Sequence, residues 1–595
     1  MEKQKLRDEV SNDYKWDLTK IYKTDEEWNK DYQKLESEIT KIKDYTNFIE
    51  SSENLYKFLI FNEKIERLLN KLYYYAHLNF DVDTLNDKYQ EMNQKMVDML
   101  DYFNELTSFV IPTFLKIDYS KIQQYINELP SLKEYEFTLE QIYREKEHTL
   151  DEEKEHMLAL LGKNLSNPGS TFEALTDSDL TFGNITVDGK EIELTESNYG
   201  KYISSFDRDI RKKVFERLFT TYSNFKTTIT SIYNGDIDAN ISVAKIRNFN
   251  SALEASLYND NIEKTVYENL IKTVHNNLNV LYDYYDLKKK VLNLDELHIY
   301  DIYTPMIKVD KQDYSFEEAK NLVLDTISIF GEEYKENALK AFNEKWIDVY
   351  NNKGKRSGAY SSGFYDTAPY MLLNFENRIN DVFTLAHELG HSMHTYFSCK
   401  NNSYTNSGYR IFVAEVASTV NELLLAKNLL KKSNSKEEKL NILNRLLELF
   451  KSTIYRQTMF AEFEKKVYEL RESGNVLTSE TICKEYYELN KLYFGNNVVV
   501  DDLIKYEWER IPHFYYNFYV YKYATGLSAA CYIVKNILDN KENAKENYLK
   551  FLKSGGSMYP LDELKLAGVD MNKPEVVESA ISMFKETIEE FKTLI

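Results

Sequence analysis

Apolar residues recur at three- and four-residue spacing along most of this chain, with Glu and Lys on the positions between. That period puts one apolar stripe on each helix and predicts long paired helices over 28–42 and 55–103. The pattern breaks up between 112 and 196. There Ser166-Asn-Pro-Gly-Ser170 reads as a loop, and 180–194 alternates around Asp188-Gly189, the clearest hairpin signal in the chain. Helical spacing returns over 205–295, with Asp207 opening a helix, and again over 435–500. Gly358-Ala-Tyr-Ser-Ser-Gly363 and 370–375 read as two short strands. Directly after them, Val382, Phe383, Leu385, Ala386 and Leu389 mark a proline-free helix over 381–394, with Asp381 near its start as a cap candidate. The expected fold is mainly α, with a small β element beside that last helix.

Composition narrows the class. With 18 Gly and 8 Pro in 595 residues, breakers are scarce, which argues for one large helical body despite a length that would suit several domains. Hydrophobic residues make up 43%, ample for a core, and no run approaches the 18 or so apolar residues of a membrane span. The segment Met1-Glu-Lys-Gln-Lys-Leu-Arg7 is polar and reads as no signal peptide. Cys399, Cys483 and Cys531 are scattered, with neither a disulfide framework nor metal-type spacing, so the expected compartment is the cytosol. A net charge of −21 disfavours nucleic acid as a partner. The 48 tyrosines are expected to be mostly ordinary packing rings.

The chemistry concentrates in His387-Glu388-Leu-Gly-His391. Residues four apart share a helix face one turn apart, so both imidazoles can reach one cation. Zinc accepts imidazole nitrogen at about 2 Å, and two such ligands leave room for a third and for water. Glu388, one position round the helix, can then act on that water as general base. A salt-bridged helix face would show the same spacing, so the third ligand decides. His394 is seven residues from His387, roughly 10 Å along the axis, too far for one helix to bring all three rings to one ion. It reads as an outer or packing residue. Glu415 is the better candidate: it lies on a second predicted helix with Ser418 and Glu422, and a carboxylate completes a two-His-one-Glu zinc set. Glu422 can orient a ligand imidazole from behind.

His-Glu-Leu-Gly-His-Ser-Met-His394, followed by Phe-Val-Ala-Glu415-Val-Ala-Ser-Thr, resembles the M3 family of zinc peptidases, and within it the bacterial oligoendopeptidase F group. Gly354-Lys-Arg-Ser-Gly-Ala-Tyr-Ser361, the stretch 511–526 and Gly555-Gly-Ser-Met-Tyr-Pro-Leu561 add to the likeness, which starts weakly near Tyr14-Lys-Trp-Asp17 and spans most of the chain. Ser357 departs from an expected second glycine, which matters only if the backbone there needs positive φ. The resemblance implies a bi-lobed helical zincin with a thermolysin-like active-site core and a deep substrate cleft, partitioned as 1–115, 116–200 and 201–595. It implies one Zn²⁺ on His387, His391 and Glu415, and short peptide substrates. Helices roofing the channel would restrict entry to short unfolded chains.

Two further segments gain meaning from this. A sheet edge at Gly358, Ala359 and Tyr360 can hold an extended peptide by main-chain hydrogen bonds. Within 511–526, His513, Tyr516 and Tyr523 are candidate donors to the oxygen that turns negative when water attacks an amide. Tyr516 and Tyr523, seven apart, would share a face if that stretch were helical, with Tyr515, Tyr519 and Tyr521 as competing registers. Gly555-Gly-Ser557 lacks the Lys of a phosphate loop and reads as a flexible substrate-side loop. The rivals to an endopeptidase are an exopeptidase on the same chemistry and a noncatalytic scaffold, the latter expected to have lost Glu388 or a ligand.

Overall fold

A computed structural model of the protein describes residues 5–308 and 313–595. It is mainly α-helical and divides into two compact units, each assembled from three chain segments. The first comprises Met1–Thr149, Lys311–Asn428 and Ile533–Val569. The second comprises Leu150–Asp310, Leu429–Tyr532 and Asp570–Ile595.

In the first unit, the helix expected over 28–42 is Asp25–Ile39, whereas the stretch 55–103 is broken at 83–86 into two helices, Ser52–Val82 and Asp87–Thr107, packed along each other. Ser51 caps the longer one by accepting the Asn54 N–H. Its buried stripe, Leu55, Phe58, Ile65, Leu69 and Leu72, has the three-to-four spacing that predicted it. A three-stranded sheet, β3 (Ile347–Asp348), β4 (Tyr360–Ser362) and β5 (Tyr370–Leu372), runs in the order β3-β5-β4. β5 pairs parallel with β3 and antiparallel with β4, so β4 keeps one edge unpaired among the described residues. The helix Ile379–Asn401 packs on β4, β5 and the helices Phe316–Ile327, Glu332–Asn343 and Ala544–Ser554.

In the second unit, β1 (Asn184–Val187) and β2 (Lys190–Glu193) form the expected hairpin. Asp188 and Gly189 both take positive φ, 51° and 75°, as a two-residue turn matched to strand twist demands. Asp207 caps the long helix Arg208–Ile246 through the Asp209 N–H at 2.9 Å.

Three expectations need correction. The stretch 112–174 is largely helical, as Tyr119–Glu128, Glu136–Arg144 and Glu152–Ala174 show. Ser166–Ser170 lies inside the last of these, although Pro168 removes one helix hydrogen bond. Packing overrides the breaker: Gly235 on Arg208–Ile246 lies so close that a Cβ there would sit 3.4 Å from the Pro168 ring. The Gly555–Ser557 loop is not a loose flap. Gly556 N–H donates to Asn406 O at 2.9 Å, and a Cβ on Gly556 would collide with the Gly408 carbonyl. No helix among the described residues is long and apolar enough to cross a membrane.

Candidate metal centre

Asp381, the third residue of Ile379–Asn401, reaches back to accept the N–H groups of Arg378 (2.8 Å) and Glu376 (2.9 Å). It thus caps the helix from inside rather than standing at the cap position. Val382, Phe383, Leu385, Ala386 and Leu389 bury the inward face. His387 and His391, one turn apart, bring their Nε2 atoms to 3.1 Å.

Glu415 comes from the next helix, Ile411–Lys432, and its Oε2 lies 3.4 Å from each of those nitrogens. Gly390 permits this approach. A Cβ there would meet Ser418 Cα at 2.6 Å and Ala417 O at 2.7 Å, so the two helices touch backbone to backbone. Asn421 ties them further, its Nδ2 donating to Ala386 O at 3.0 Å.

The three donor atoms form a triangle with sides of 3.1, 3.4 and 3.4 Å. Zinc bonds of about 2.0–2.1 Å at tetrahedral angles separate neighbouring ligand atoms by about 3.3–3.4 Å. One ion over the triangle would satisfy all three donors and keep a fourth position open. His387 is already oriented for this. Its Nδ1 lies 2.7 Å from Glu422 Oε1, so with the Nδ1–H donated to that carboxylate a bound cation would displace the Nε2 proton and take its lone pair. Ser418 Oγ donates to Glu415 Oε2 at 3.1 Å.

The electrostatics also suit a cation. Burial pulls the His387 imidazole down, but hydrogen bonds to Glu415 and Glu422 reverse this and drive it up to about 10. Burial raises the Glu415 carboxyl, and the two imidazoles more than offset that, holding it below the usual carboxylate range. Glu388 is 6% exposed, and burial pushes its carboxyl up against the pull of His387 and His391. Glu415 and Glu422 thus face the two imidazoles in a donor set whose protons a divalent ion would replace.

His394 stays outside this cluster. It is fully buried, neither ring nitrogen has a hydrogen-bond partner among the described residues, and the ring stacks on Tyr409 at 3.7 Å. Burial, with His391 nearby, lowers it to about 3. It is a packing residue and orients no ligand.

β4 starts at Tyr360, whose hydroxyl donates to the buried Asp81 at 2.7 Å. Gly358 takes φ 85°, and its carbonyl accepts Asn374 Nδ2 at 2.8 Å; Ser357 needs no positive φ. Ala359 is half-buried between them. Ser361 Oγ and Ser392 Oγ, 2.7 Å apart, link β4 to the helix one residue beyond His391. A cavity of about 700 Å³ opens beside this strand, lined by Tyr74, Ser361, Ser362, Thr395, Tyr404 and Tyr409 among others.

In the second unit, His513 and Tyr516 do not lie on a helix with Tyr523. Pro512–Tyr515 is a 3₁₀ turn, Asn517 and Phe518 take φ of 45° and 60°, and only then does the helix Tyr521–Leu538 begin. The shared-face expectation fails because this left-handed turn intervenes. The turn itself nonetheless folds the three together. Tyr523 Oη lies 3.3 Å from His513 Nε2, and the His513 ring centre is 5.7 Å from Tyr516 and 6.4 Å from Tyr519. Tyr516 is 51% exposed, and burial pulls His513 below its ordinary value. Tyr521 is a core ring, and Tyr515 packs on Phe172 and Tyr233.

Gly390, Asn421 and Asp81 were not singled out from the sequence. Only Gly390 left a signal, as a glycine inside a helical pattern.

A family model described as Peptidase family M3 matches residues 201–583, and one described as Oligopeptidase F matches 114–182. Oligopeptidase PepF of Bacillus subtilis is 42% identical over 591 residues, covering 99% of this chain and 88% of its own length. Group B oligopeptidase PepB of Streptococcus agalactiae is 39% identical, with 99% and 98% covered. The crystal structure of oligoendopeptidase-F from Enterococcus faecium matches with a TM-score of 0.74 at 34% identity, over 96% of this chain and 99% of that one.

Proposed function

The chain belongs to peptidase family M3, and on that premise we propose that it cleaves internal bonds of short, unfolded oligopeptides by zinc-assisted hydrolysis. It is a metallo-endopeptidase. The observation that carries the zinc reading is the donor triangle of His387, His391 and Glu415, whose sides fit one tetrahedral ion.

These three residues would hold Zn²⁺, which when bound supplies Lewis acidity at the scissile carbonyl and lowers the pKa of water. Glu388 takes the proton of the attacking water and delivers it to the leaving amine. Glu422 holds His387 in the ligating tautomer. The free edge of β4, with Gly358, Ala359 and Tyr360, holds the extended substrate through main-chain hydrogen bonds, and the cavity beside it supports that reading. Tyr523, Tyr516 and His513 donate to the carbonyl oxygen as negative charge develops there. Their grouping around one half-exposed imidazole supports the assignment.

The test uses internally quenched peptides of graded length with blocked ends. Those of roughly 5–20 residues, short enough to enter as extended chains, should be cut. A chelator should abolish cleavage and Zn²⁺ restore it. Cleavage of free-ended peptides alone would make the enzyme an exopeptidase, and chelator-resistant activity would overturn the metal assignment.

A further inference from the structure

Two consecutive residues without the freedom of glycine, Asn517 and Phe518, sit in the left-handed region at φ 45° and 60°. For a bulky side chain such as Phe this backbone is strained, and it persists only where surrounding contacts enforce it. Phe518 is buried, its ring 4.7 Å from Tyr468 and 6.1 Å from Tyr267. Two hydrogen bonds clamp the turn. Ser256 Oγ donates to Asn517 O at 2.8 Å, and Phe518 N–H donates to Glu464 Oε1 at 2.7 Å.

Glu464, on the helix Gln457–Glu472, is fully buried and forms no ion pair among the described residues, and its Oε2 has no partner. A carboxyl in such a place is costly. The Phe518 N–H is the partner the structure gives it, and that N–H would otherwise be a buried donor left unpaired. The turn so held joins His513 and Tyr516 on one side to Tyr523 on the other.

We infer that Glu464 is a positioning residue: by accepting the Phe518 N–H it holds the left-handed Asn517–Phe518 turn, and the turn sets the approach of Tyr523 to His513. This rests on the reading of His513 and Tyr523 as donors to the substrate. Glu464 touches no reacting atom and acts through the turn.

The experiment compares Glu464→Gln, Glu464→Met, Tyr523→Phe and the Glu464→Met/Tyr523→Phe double variant in the zinc-loaded enzyme. Zinc content, Tm, kcat and KM on a blocked quenched peptide are measured for each. Misplacing a working group by about 1 Å can cost up to a hundredfold in rate, so Glu464→Met should lower kcat by at least about tenfold. KM and zinc content should hold. Glu464→Gln keeps an acceptor oxygen for the same N–H and should stay within about threefold of wild type. Residues acting through one unit are non-additive, so Glu464→Met should cost less than about threefold more once Tyr523 is Phe.

Full kcat in Glu464→Met, or losses that multiply in the double variant, would overturn the positioning role while leaving Tyr523 as a donor. Full activity in both Tyr523→Phe and His513→Ala would remove the donor reading, and this proposal with it. Should Glu464→Met fail to fold, Ser256→Ala loosens the same turn from its other side. It should lower kcat without lowering Tm in proportion, and unchanged kcat there would count against the proposal.

Discussion

Glu388 and Glu415 are both glutamates beside the same two imidazoles, and their surroundings differ. Glu415 lies 3.4 Å from both His nitrogens, closing a cluster that could hold a metal ion. Glu388 is buried against the helix, with no bond to either imidazole among the hydrogen bonds of the centre. Glu388→Gln should therefore keep the metal and the fold yet lower kcat by roughly 10²–10⁴-fold, the usual contribution of a positioned acid–base group. Metal analysis and single-turnover rates check it, and a variant that loses zinc would make Glu388 a ligand. Glu415→Ala should lower metal occupancy far more than His394→Ala, because His394 faces Tyr409 and Phe551 instead of the triangle. His394→Ala should instead lower Tm, by an amount in keeping with about 2–4 kcal/mol for a large buried side chain. At this scale the juxtaposition of His387 and His391 was legible, because i, i+4 spacing on one helix is fixed by local geometry. The shared helix face expected of Tyr516 and Tyr523 was not, since Asn517-Phe518 carries no glycine to announce the left-handed turn between them.

Elements place these residues, and the decisive contact is between two helices. Gly390 sits where Ile379–Asn401 crosses Ser418, with no room for a single carbon. Gly390→Ala should drive the helices apart, destabilise by about 1–3 kcal/mol as other overpacked sites do, and weaken zinc binding at least tenfold by moving Glu415. Gly162 is the control. It lies exposed in Glu152–Ala174 with nothing within 4 Å of where a Cβ would stand, so Gly162→Ala should stabilise by about 0.5–1 kcal/mol. Thermal melts and metal titrations separate the two, and equal behaviour would mean that the helix crossing is not what seats Glu415. Glycines and their neighbours also divide the elements that could be read from sequence from those that could not. The β1–β2 turn needs two positive φ values and signals them with Asp188-Gly189. Pro168 and Gly555–Gly556 carried equally plain local signals, but tertiary contacts with Gly235 and with Asn406 and Gly408 overruled them.

Across the whole molecule, mainly helical character followed from the period of apolar residues, whereas two units each built from three segments leave no trace in that period. Long-range pairing also decides which charges end up buried, and that gives the molecule a testable pH response. Glu509 is fully buried, neither oxygen has a hydrogen-bond partner among the described residues, and burial lifts its carboxyl to about 9 against the pull of Lys226. Asp236 is lifted by burial to about 7. In the unfolded chain both revert to ordinary carboxylate values. Between those values and the raised ones, the folded state binds more protons than the unfolded state, so folding stability falls as pH rises. From pH 7 to 8 Asp236 goes from about half to mostly titrated in the folded state, while Glu509 stays largely protonated. Lys288, lowered to about 8 by burial, acts in the opposite sense over the same pH unit and offsets much of the Asp236 part. Glu509 should therefore lower stability between pH 7 and 8 by on the order of 1 kcal/mol, the most one group contributes per pH unit. Glu509→Gln, with no proton to lose, should be more stable than wild type at pH 8 and should flatten the slope. Denaturant unfolding of both proteins at pH 7 and 8 decides it: parallel slopes would mean that Glu509 is ionised in the folded protein and finds a partner there.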